Sequence, residues 1–436
     1  MPLRNLILLV VVTVVCLAAW AARERGGHGR RFGEVLGHID RAYLEPVDGD
    51  SLFTAAVEAA VGKLDEHSAY LRDDARDELE SLLDQRFGGV GLELELDART
   101  RAVTVLTPLP GSPAWRAGVA MGDRIEAIDG VPTLGMPLRD AVRRLRGRPG
   151  DPVRLRLVSV PPSDSLDPAV VPTPTVRDLT LVRETVKVES VLGDRRRPDG
   201  SWDWMLEGEP GVALVRVASF GERTAADLAS AVEAIEREAG GGLRGLVLDL
   251  RGNPGGLLSA AVETCDRFLD DGVIVCTAGR RAGAASGGVT TTRRAEPGMA
   301  LADVPVTVLV DGLTASAAEI VAACLQDNRR ATIVGSRTFG KGTVQSIVPL
   351  SDGRSLLKLT TSEYLRPSRA NIHRHPGEDD EAVWGVSPDR GYEIAPTAES
   401  LERTRAWRRS RDLAGPGPAA AGARLRRQRR QAGRGD

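Results

Sequence analysis

The sequence predicts a multidomain α/β (α+β) protein whose largest domain is a β-sheet covered by helices, preceded by an N-terminal helical arm. The chain has 436 residues, whereas single hydrophobic cores usually stop growing at about 250–300 residues. Apolar residues make up 42% of the chain and charged residues 27%, which is the balance of a protein that can bury a core. From Val212 onward, apolar strand patterns alternate with helical ones, and this alternation favours a sheet covered by helices.

The N-terminus contains one long apolar stretch, residues 6–22, which is interrupted only by Thr13 and lies between Arg4 and Arg23. A helix of this length rises roughly 25 Å, slightly less than the ~30 Å hydrocarbon core of a bilayer. Ala19–Ala21 could serve as a small-residue cleavage site. We therefore predict that residues 1–25 are a signal-anchor or a signal peptide, with the uncleaved anchor favoured. Either form would export the rest of the chain.

Residues 26–85 carry apolar side chains at helical spacing and predict a helical arm that packs without doing chemistry. The first apolar face contains Phe32, Val35, Leu36, Ile39, Ala42 and Tyr43, and the second contains Leu52, Ala55, Ala56, Ala59, Ala60 and Leu64. From residue 86 to 184 the pattern changes to short strands and turns, beginning with a glycine-rich loop. That region includes a proline-rich insertion, residues 160–175, which we predict to be extended and disordered between two strands.

Residues 185–395 show the alternation of strands and helices. The predicted strands are Val212–Val217, Gly245–Leu250, Val306–Val310 and Thr332–Val334, followed by Val344–Pro349 and Ser355–Tyr364; the predicted helices are Ala225–Ala239, Leu257–Leu269 and Ala317–Leu325. The remaining residues, 396–436, contain few apolar side chains, and residues 401–436 hold eleven arginines against three acidic residues. This composition predicts a disordered tail.

Cysteine and histidine spacing predicts no metal site, and the sequence indicates no cofactor. The cysteines are Cys16, Cys265, Cys276 and Cys324. They form no C-x-x-C pair, although Cys265 with Cys276 remains a possible disulfide. The five histidines show no zinc-binding spacing. The net charge of −2 gives no reason to expect a specific nucleic-acid partner.

Two segments of the α/β region carry side chains suited to chemistry. In Leu246–Gly256, an apolar strand containing Asp249 leads through Arg251 into a turn with two successive glycines. Glycines let a backbone approach a ligand closely, and N–H groups at a helix start point at negative charge. A tight strand-to-helix turn would explain this segment equally well.

The second segment places Ser316 between a strand and a helix, and Lys341 follows 25 residues later between Gly340 and Gly342. Taken alone, Ser316 could be an ordinary N-cap, since serine is common there. Only four lysines occur beside 54 arginines. Arginine cannot lose its proton in a protein, so a lysine is needed wherever an amine must act as a base.

These segments resemble the carboxyl-terminal processing (tail-specific) serine proteases, from Asp65–Tyr70 through to Trp384–Asp389, about three quarters of the chain. The resemblance implies that Ser316 is the nucleophile, that Lys341 is the general base and that Gln345 orients the lysine. It further implies an oxyanion hole and three supporting positions. The oxyanion hole would use the N–H of Ala317 with that of Gly255 or Gly256, and the supporting positions are Asp249, Arg251 and Glu319.

The resemblance also implies that residues 86–184 form a PDZ domain, inserted before a protease core at residues 185–395. The glycine-rich loop would hold the C-terminus of a substrate. Its residues are Phe87, Gly88, Gly89, Val90, Gly91 and Leu92. Two positions depart from the family pattern: Ala318 replaces a usual second serine, and Asp311 replaces a common asparagine.

The implied activity is that of a serine endopeptidase that cleaves polypeptides near their C-termini in the bacterial cell envelope, on the periplasmic side of the inner membrane. Expected partners are peptides with free C-termini, the membrane through residues 6–22, and a homo-oligomer partner or adaptor protein. Ser355 and Lys358 form a formal S-x-x-K pair, but strand alternation points them to opposite faces. The alternatives are a non-catalytic, membrane-anchored PDZ scaffold and, from the arginine-rich tail alone, a nucleic-acid or surface-polymer binder.

Overall fold

The computed structural model describes residues 27–159, 174–280, 288–298, 301, 304–375, 377–379 and 382–413. The chain divides into two compact units. The smaller unit contains the described residues up to Arg76 together with Gln345–Thr360, and the larger one contains Asp77–Val344 and the residues from Thr361 onward.

The N-terminal part of the smaller unit forms two helices and a short strand, and Gln345–Thr360 adds parts of two later strands. The two helices and the short strand are α1 (Gly27–Ala42), α2 (Gly49–Val61) and β1 (Ala69–Arg72). Asp48 caps α2 by accepting the backbone N–H of Asp50 at 3.2 Å. Strand β1 corrects the expectation that residues 26–85 are helical, because Ala69–Arg72 pair antiparallel with Ser355–Lys358. A partner strand so distant in sequence leaves no trace in the local apolar spacing.

The larger unit begins with helix α3 (Asp73–Asp84), which starts within the smaller unit, and continues with a six-stranded antiparallel sheet that has its own apolar core. The elements of this region are β2 (Arg86–Gly89), β3 (Leu92–Leu96), β4 (Val103–Pro108), α4 (Pro113–Arg116), β5 (Arg124–Ile128), β6 (Val131–Pro132), α5 (Leu138–Leu145), β7 (Pro152–Ser159), β8 (Thr175–Val182) and β9 (Glu184–Lys187). Strands β3, β4, β5, β7 and β8 lie in that spatial order, β6 pairs with β5, and β2 pairs with β9 outside the sheet. Strands β7 and β8 pair from end to end, Ser159 opposite Thr175. Of the proline-rich insertion between them, residues 160–173 lie outside the described residues.

The second half of the larger unit is built on a five-stranded sheet. Its strand order is β10 (Val191–Leu192), β13 (Val212–Val217), β14 (Gly245–Asp249), β17 (Val306–Val310) and β18 (Ala331–Gly335). The last four strands run parallel, and their apolar runs are largely buried, as expected for a sheet covered on both faces. The short strands β11 (Arg195–Arg196) and β12 (Trp202–Asp203) form a separate pair. The carboxyl ends of β14 and β17 lead into the two loops that the sequence singled out.

Three helices cover this sheet: α6 (Thr224–Ala239), α7 (Leu258–Asp266) and α8 (Ala317–Asp327). In α8 every residue from Ala317 to Leu325 is buried. A helix buried on all sides lies inside the core, and the surrounding packing therefore holds the N-terminus of α8 in a fixed position.

Four further strands complete the described sheets: β15 (Val273–Arg280), β16 (Gly288–Arg294), β19 (Thr343–Pro349) and β20 (Ser355–Leu365). Within the larger unit, β15 pairs antiparallel with β16 and with the end of β20. The sequence predicted β19 and β20 but not β15 or β16. The exposed polar run of β16 lacks the apolar alternation by which a strand is recognised.

The predicted disordered tail is wrong for part of its length, because residues Ala398–Asp412 form helix α9. Thr397 caps it by accepting the N–H of Ser400 at 3.2 Å. The buried Arg411 guanidinium bonds to the Asp194 carboxylate and donates to the Asp194 carbonyl at 3.1 Å. The helix is therefore stabilised by ion pairs with the core, which the low apolar content could not indicate. Residues 414–436 lie outside the described residues.

Two other expectations concern cysteines and the membrane. Cys265, Cys276 and Cys324 are all free and buried, so the possible Cys265–Cys276 disulfide is wrong. In the described ranges, no helix combines the length and apolarity needed to span a membrane. The predicted anchor, residues 6–22, lies outside those ranges.

Candidate active site

Ser316 lies at the N-cap of α8, where the loop after β17 turns into the helix. Its backbone has φ 56° and ψ −119°, a conformation that is rare for a residue with a side chain. Such strain persists only where surrounding contacts enforce it, and it concentrates at functional sites. Ser316 is 5% exposed. The ordinary N-cap interpretation does not explain this backbone, because an N-cap residue normally has extended dihedral angles.

Glu319, one turn into α8, holds the backbones of Ser316 and Lys341 together. Its Oε2 accepts the N–H of Ser316 at 2.8 Å and the N–H of Lys341 at 2.8 Å. The two backbone nitrogens therefore lie within twice that distance of each other. The sequence predicted Glu319 as a supporting residue, and this shared oxygen gives it a definite contact with both segments.

The other oxygen of Glu319 binds the loop that precedes Lys341. Oε1 accepts the N–H of Gly340 at 2.7 Å and the hydroxyl of Thr338 at 2.5 Å. Glu319 is fully buried, and burial raises the pKa of its carboxyl although the four hydrogen bonds act in the opposite direction. The carboxylate is thus a desolvated acceptor whose lone pairs are used for positioning.

The glycines beside Lys341 are required by close packing. A Cβ on Gly340, which has φ +86°, would lie 2.8 Å from the ring of Trp384, and a Cβ on Gly342 would lie 2.3 Å from the backbone nitrogen of His373. Lys341 itself is partly buried. The backbone on either side of Lys341 is therefore packed so closely that only glycine fits at positions 340 and 342.

The loop after β14 lies directly against Ser316. A Cβ on Gly255 would lie 2.8 Å from Cβ of Ser316 and 2.9 Å from the backbone nitrogen of Ala317. Buried Asn253 fixes this loop: its amide donates to the Val217 carbonyl at 2.8 Å, and its Oδ1 accepts the N–H of Gly255 at 2.8 Å. Sequence reasoning missed Asn253, for which the Asn-Pro turn signal was the available hint.

The N–H of Gly255 is thus already bonded, whereas those of Gly256 and Ala317 donate to no acceptor among the described residues. A Cβ on Gly256 would lie 1.9 Å from the carbonyl oxygen of Phe220, so only glycine fits there. Two unclaimed donors beside Ser316 could bind the negative oxygen of a tetrahedral intermediate.

Asp249 and Arg251, the predicted supporting residues, form a bidentate ion pair at the start of this loop. Arg251 donates from Nε to Oδ1 of Asp249 at 2.9 Å and from Nη2 to Oδ2 at 2.7 Å, and Asp249 raises the pKa of the arginine. Asp311 joins the two loops, because its Oδ1 accepts the N–H of Gly252 at 2.9 Å and that of Leu313 at 3.0 Å.

Tyr364 is a site residue that sequence reasoning missed. It is 3% exposed, and its N–H donates to the carbonyl of Gly342, next to Lys341, at 2.6 Å. Burial raises the pKa of its hydroxyl, while a side-chain hydrogen bond with Ser316 lowers it. A tyrosine in an alternating strand has an ordinary role in packing, so the pattern gave no signal.

Gln345 and the Phe87–Leu92 loop are the remaining predicted site residues. Gln345 belongs to the smaller unit, where its amide donates to Thr360 Oγ1 at 3.3 Å. The predicted carboxylate loop, Phe87–Leu92, lies at the start of the antiparallel domain, and the Arg146 guanidinium sits 5.2 Å from the centre of the Phe87 ring. Gly91 has φ +76°, and a Cβ there would lie 2.2 Å from Cβ of Ser112.

Comparison with known proteins identifies both domains. Residues 211–390 match peptidase family S41, and residues 104–159 match a PDZ domain. The chain is 34% identical over 373 residues to a carboxy-terminal-processing protease of Bartonella bacilliformis, covering 84% of this chain and 77% of that one. It is 30% identical to the carboxy-terminal processing protease CtpA of Bacillus subtilis, covering 77% of this chain and 65% of the relative.

Among solved structures, the photosystem II D1 C-terminal processing protease is 29% identical, with a TM-score of 0.44, and the match covers 89% of this chain and 95% of that one. The predicted fold class is confirmed: a mixed α/β protein with helices and sheets and a PDZ domain.

Proposed function

We propose, because the chain belongs to the carboxy-terminal processing proteases of peptidase family S41, that it is a serine endopeptidase using Ser316 as nucleophile and Lys341 as general base. The observation that carries this proposal is the Glu319 carboxylate, whose single oxygen Oε2 accepts the N–H groups of both residues. The bond to Ser316 is that of a capping box, in which a glutamate at the third helical position accepts the N–H of the N-cap residue. The bond to Lys341 lies outside that motif and joins the second loop to the first.

The chemistry follows from a neutral Lys341 amine. An ordinary lysine titrates near 10.4, so only about 1 in 2,500 is neutral at pH 7. A partly buried site that favours the neutral amine increases that fraction. Lys341 then takes the proton of the Ser316 hydroxyl while Oγ attacks the peptide carbonyl carbon. The same proton passes to the leaving amine as the C–N bond breaks, and water releases the acyl group.

The negative oxygen of the intermediate needs two donors. We assign them to the N–H groups of Ala317 and Gly256, because the N–H of Gly255 already donates to Asn253. Gln345 is the proposed orienting residue of Lys341. An amide in that role brings no counter-charge that would keep the amine protonated.

The proposed substrates are unstructured polypeptides cleaved near their C-termini. The PDZ domain, with Phe87–Leu92 as its carboxylate loop, would bind the free C-terminus as an added strand. The proposed location is the cell envelope, with residues 6–22 as the membrane anchor or export signal. The proposed domain boundaries are residues 26–85, 86–184 and 185–395.

The test is cleavage of a disordered peptide by the purified protein lacking residues 1–25. Ser316→Ala and Lys341→Ala are expected to abolish turnover. Lys358→Ala, which removes the lysine of the formal S-x-x-K pair, should cleave as the unaltered protein does. If Ser316→Ala retains full activity, the assignment of the nucleophile is wrong, and the scaffold alternative gains support if no form cleaves.

Two further arms test the base and the PDZ domain. Activity should rise between pH 6 and pH 8 as Lys341 loses its proton, and a flat profile would argue against a titrating amine. Amidation of the peptide C-terminus should raise KM, because the peptide would lose the carboxylate that the Phe87–Leu92 loop is proposed to bind. An unchanged KM would remove the proposed role of Phe87–Leu92.

A further inference from the structure

A cavity of about 1250 Å³ lies in the larger unit, between the carboxyl ends of the core strands, the loop after β4 and helix α9. Its wall includes Arg251–Gly252 and Asp311–Leu313, which lead to the oxyanion loop and to Ser316 respectively. Typical small-molecule pockets measure about 300–1,000 Å³. The cavity is therefore large enough for several residues of a peptide.

Three guanidinium groups share two carboxylates on this wall. Arg251 Nη2 lies 2.7 Å from Asp249 Oδ2, and Arg408 Nη2 lies 3.4 Å from the same oxygen. Arg216 Nη2 lies 2.7 Å from Asp412 Oδ1. Over the whole wall, six arginines face five acidic residues, which leaves an excess of one positive charge. Burial lowers the pKa of Arg408, and repulsion from Arg216 and Arg251 acts in the same direction.

Three donors of this cluster, Arg216 Nε and Nη2 and Arg408 Nη1, make no hydrogen bond within the described residues. The same holds for the acceptor Asp412 Oδ1, which lies in ion-pair contact with Arg216 Nη2. Arg216 is 9% exposed. An unsatisfied buried donor is costly, and a charged one more so. An added anion would accept these bonds and balance the excess charge.

The rest of the wall is largely apolar. Its apolar side chains include Leu192, Trp202, Leu309, Leu313, Val334 and Leu401. A free inorganic anion would leave this surface in contact with water. A ligand with one carboxylate and apolar side chains satisfies both parts of the wall, and the C-terminal end of a peptide has that chemistry.

We propose that this cavity binds the apolar C-terminal end of a peptide, with its carboxylate held by Arg216 and Arg408. This site is separate from the Phe87–Leu92 loop, since none of those six residues lines the cavity. The identification of the ligand as a peptide rests on the proposed protease function. A peptide held here would contact the loops that precede both halves of the active site.

The experiment uses the Ser316→Ala protein, so that binding is measured without cleavage. The probe is a fluorescent hexapeptide that ends in two leucines, carries a photoreactive leucine and has a free carboxylate; its matched partner ends in an amide. We expect photo-attachment to cavity residues such as Leu309 or Leu401 for the carboxylate form only. Attachment confined to Phe87–Leu92, or equal attachment of both forms, would overturn the proposal.

Variants then locate the charge. Arg216→Gln and Arg408→Gln should each weaken the cavity binding about tenfold or more, because each removes a charged hydrogen bond. Arg195→Gln is the control, since Arg195 is half-exposed, pairs with Asp203 and does not line the cavity. Thermal melting of each variant reports whether it folds. If an arginine variant does not fold, the comparison of the carboxylate peptide with the amide peptide still tests the proposal, because it uses the Ser316→Ala protein alone.

The remaining arms separate the sources of the anion and the two proposals. Displacement of the peptide by an equal concentration of acetate would identify a small-anion site and overturn the assignment to a peptide. If Ser316→Ala binds the peptide in the cavity but the unaltered protein cleaves nothing, the cavity site is supported and the proposed protease activity fails. Cleavage without cavity attachment would do the reverse.

Discussion

Replacement of Glu319 by glutamine tests the positioning role of this carboxylate with almost no change of shape. The four donors on Glu319 are the N–H groups of Ser316, Gly340 and Lys341 and the hydroxyl of Thr338. A glutamine has one acceptor oxygen and one NH₂ group. In either orientation of the amide, its NH₂ faces at least one backbone N–H.

The magnitude follows from counting the groups left without a partner. If the amide oxygen faces Ser316 and Lys341, the buried N–H of Gly340 loses its acceptor; in the other orientation two N–H groups lose theirs. One such group costs about 1–3 kcal/mol, partly offset because the buried charge is removed. A shift of about 1 Å between nucleophile and base can lower the rate roughly a hundredfold, so we expect kcat to fall about 10- to 100-fold with KM nearly unchanged.

The assay is initial-rate cleavage of a disordered fluorogenic polypeptide, with urea unfolding measured on the same samples. The control is Glu378→Gln at the surface, where the carboxylate accepts one backbone N–H, that of His375, at 2.8 Å. That variant should retain both activity and stability. If Glu319→Gln cleaves as fast as Glu378→Gln, the shared carboxylate does not align Ser316 with Lys341.

Three further predictions follow from the same contacts. Tyr364→Phe should lower kcat about tenfold by removing the hydrogen bond with Ser316. The control Tyr70→Phe, which loses a 2.8 Å hydrogen bond with Ser355, should keep its activity. Equal losses of kcat in the two variants would indicate a general packing effect. Arg411→Ala should release α9 by breaking its bonds to Asp194 and Glu207, so that trypsin cleaves within residues 398–412 faster than in Glu402→Ala; equal rates would contradict the ion-pair account of that helix. Burial raises the pKa of Glu319 in the folded state, so the folded protein binds this proton more tightly than the unfolded chain does. Its free energy of unfolding, relative to that of Glu319→Gln, should therefore increase as pH falls through the folded pKa. Urea unfolding of both proteins at pH 7 and pH 5 measures this change, and a relative free energy that decreases on acidification would refute the prediction.

The core strands could be predicted from the sequence because each is a short, continuous apolar run between turn residues. Val212–Val217 and Val306–Val310 have the predicted bounds, and Gly245–Asp249 differs by one residue. Buried parallel strands carry this signal in their own residues. The pairing of β1 with β20 and the exposed strand β16 could not be predicted in this way, because their stability depends on distant partners.

The candidate site divides in the same manner. The sequence motifs place Ser316 and Lys341 by their local context, a strand-to-helix junction and a pair of glycines. The bonds of Asn253 and Tyr364 join segments far apart in the chain, so no local pattern reveals them. Helix α9 could not be predicted because its arginines have the pattern of solvated charges. The ion pair between Arg411 and the buried Asp194 joins residues far apart in the chain.

The two departures from the family pattern have a structural explanation in this site. Ala318 is completely buried in the apolar core, where a serine hydroxyl would need its own partner; alanine needs none and leaves the neighbouring Ala317 N–H unchanged. Asp311 uses its Oδ1 to accept the N–H groups of Gly252 and Leu313, which the oxygen of an asparagine could also do. Both departures therefore leave the contacts between the loop after β14 and the loop that contains Ser316 in place, and neither argues against the proposed activity.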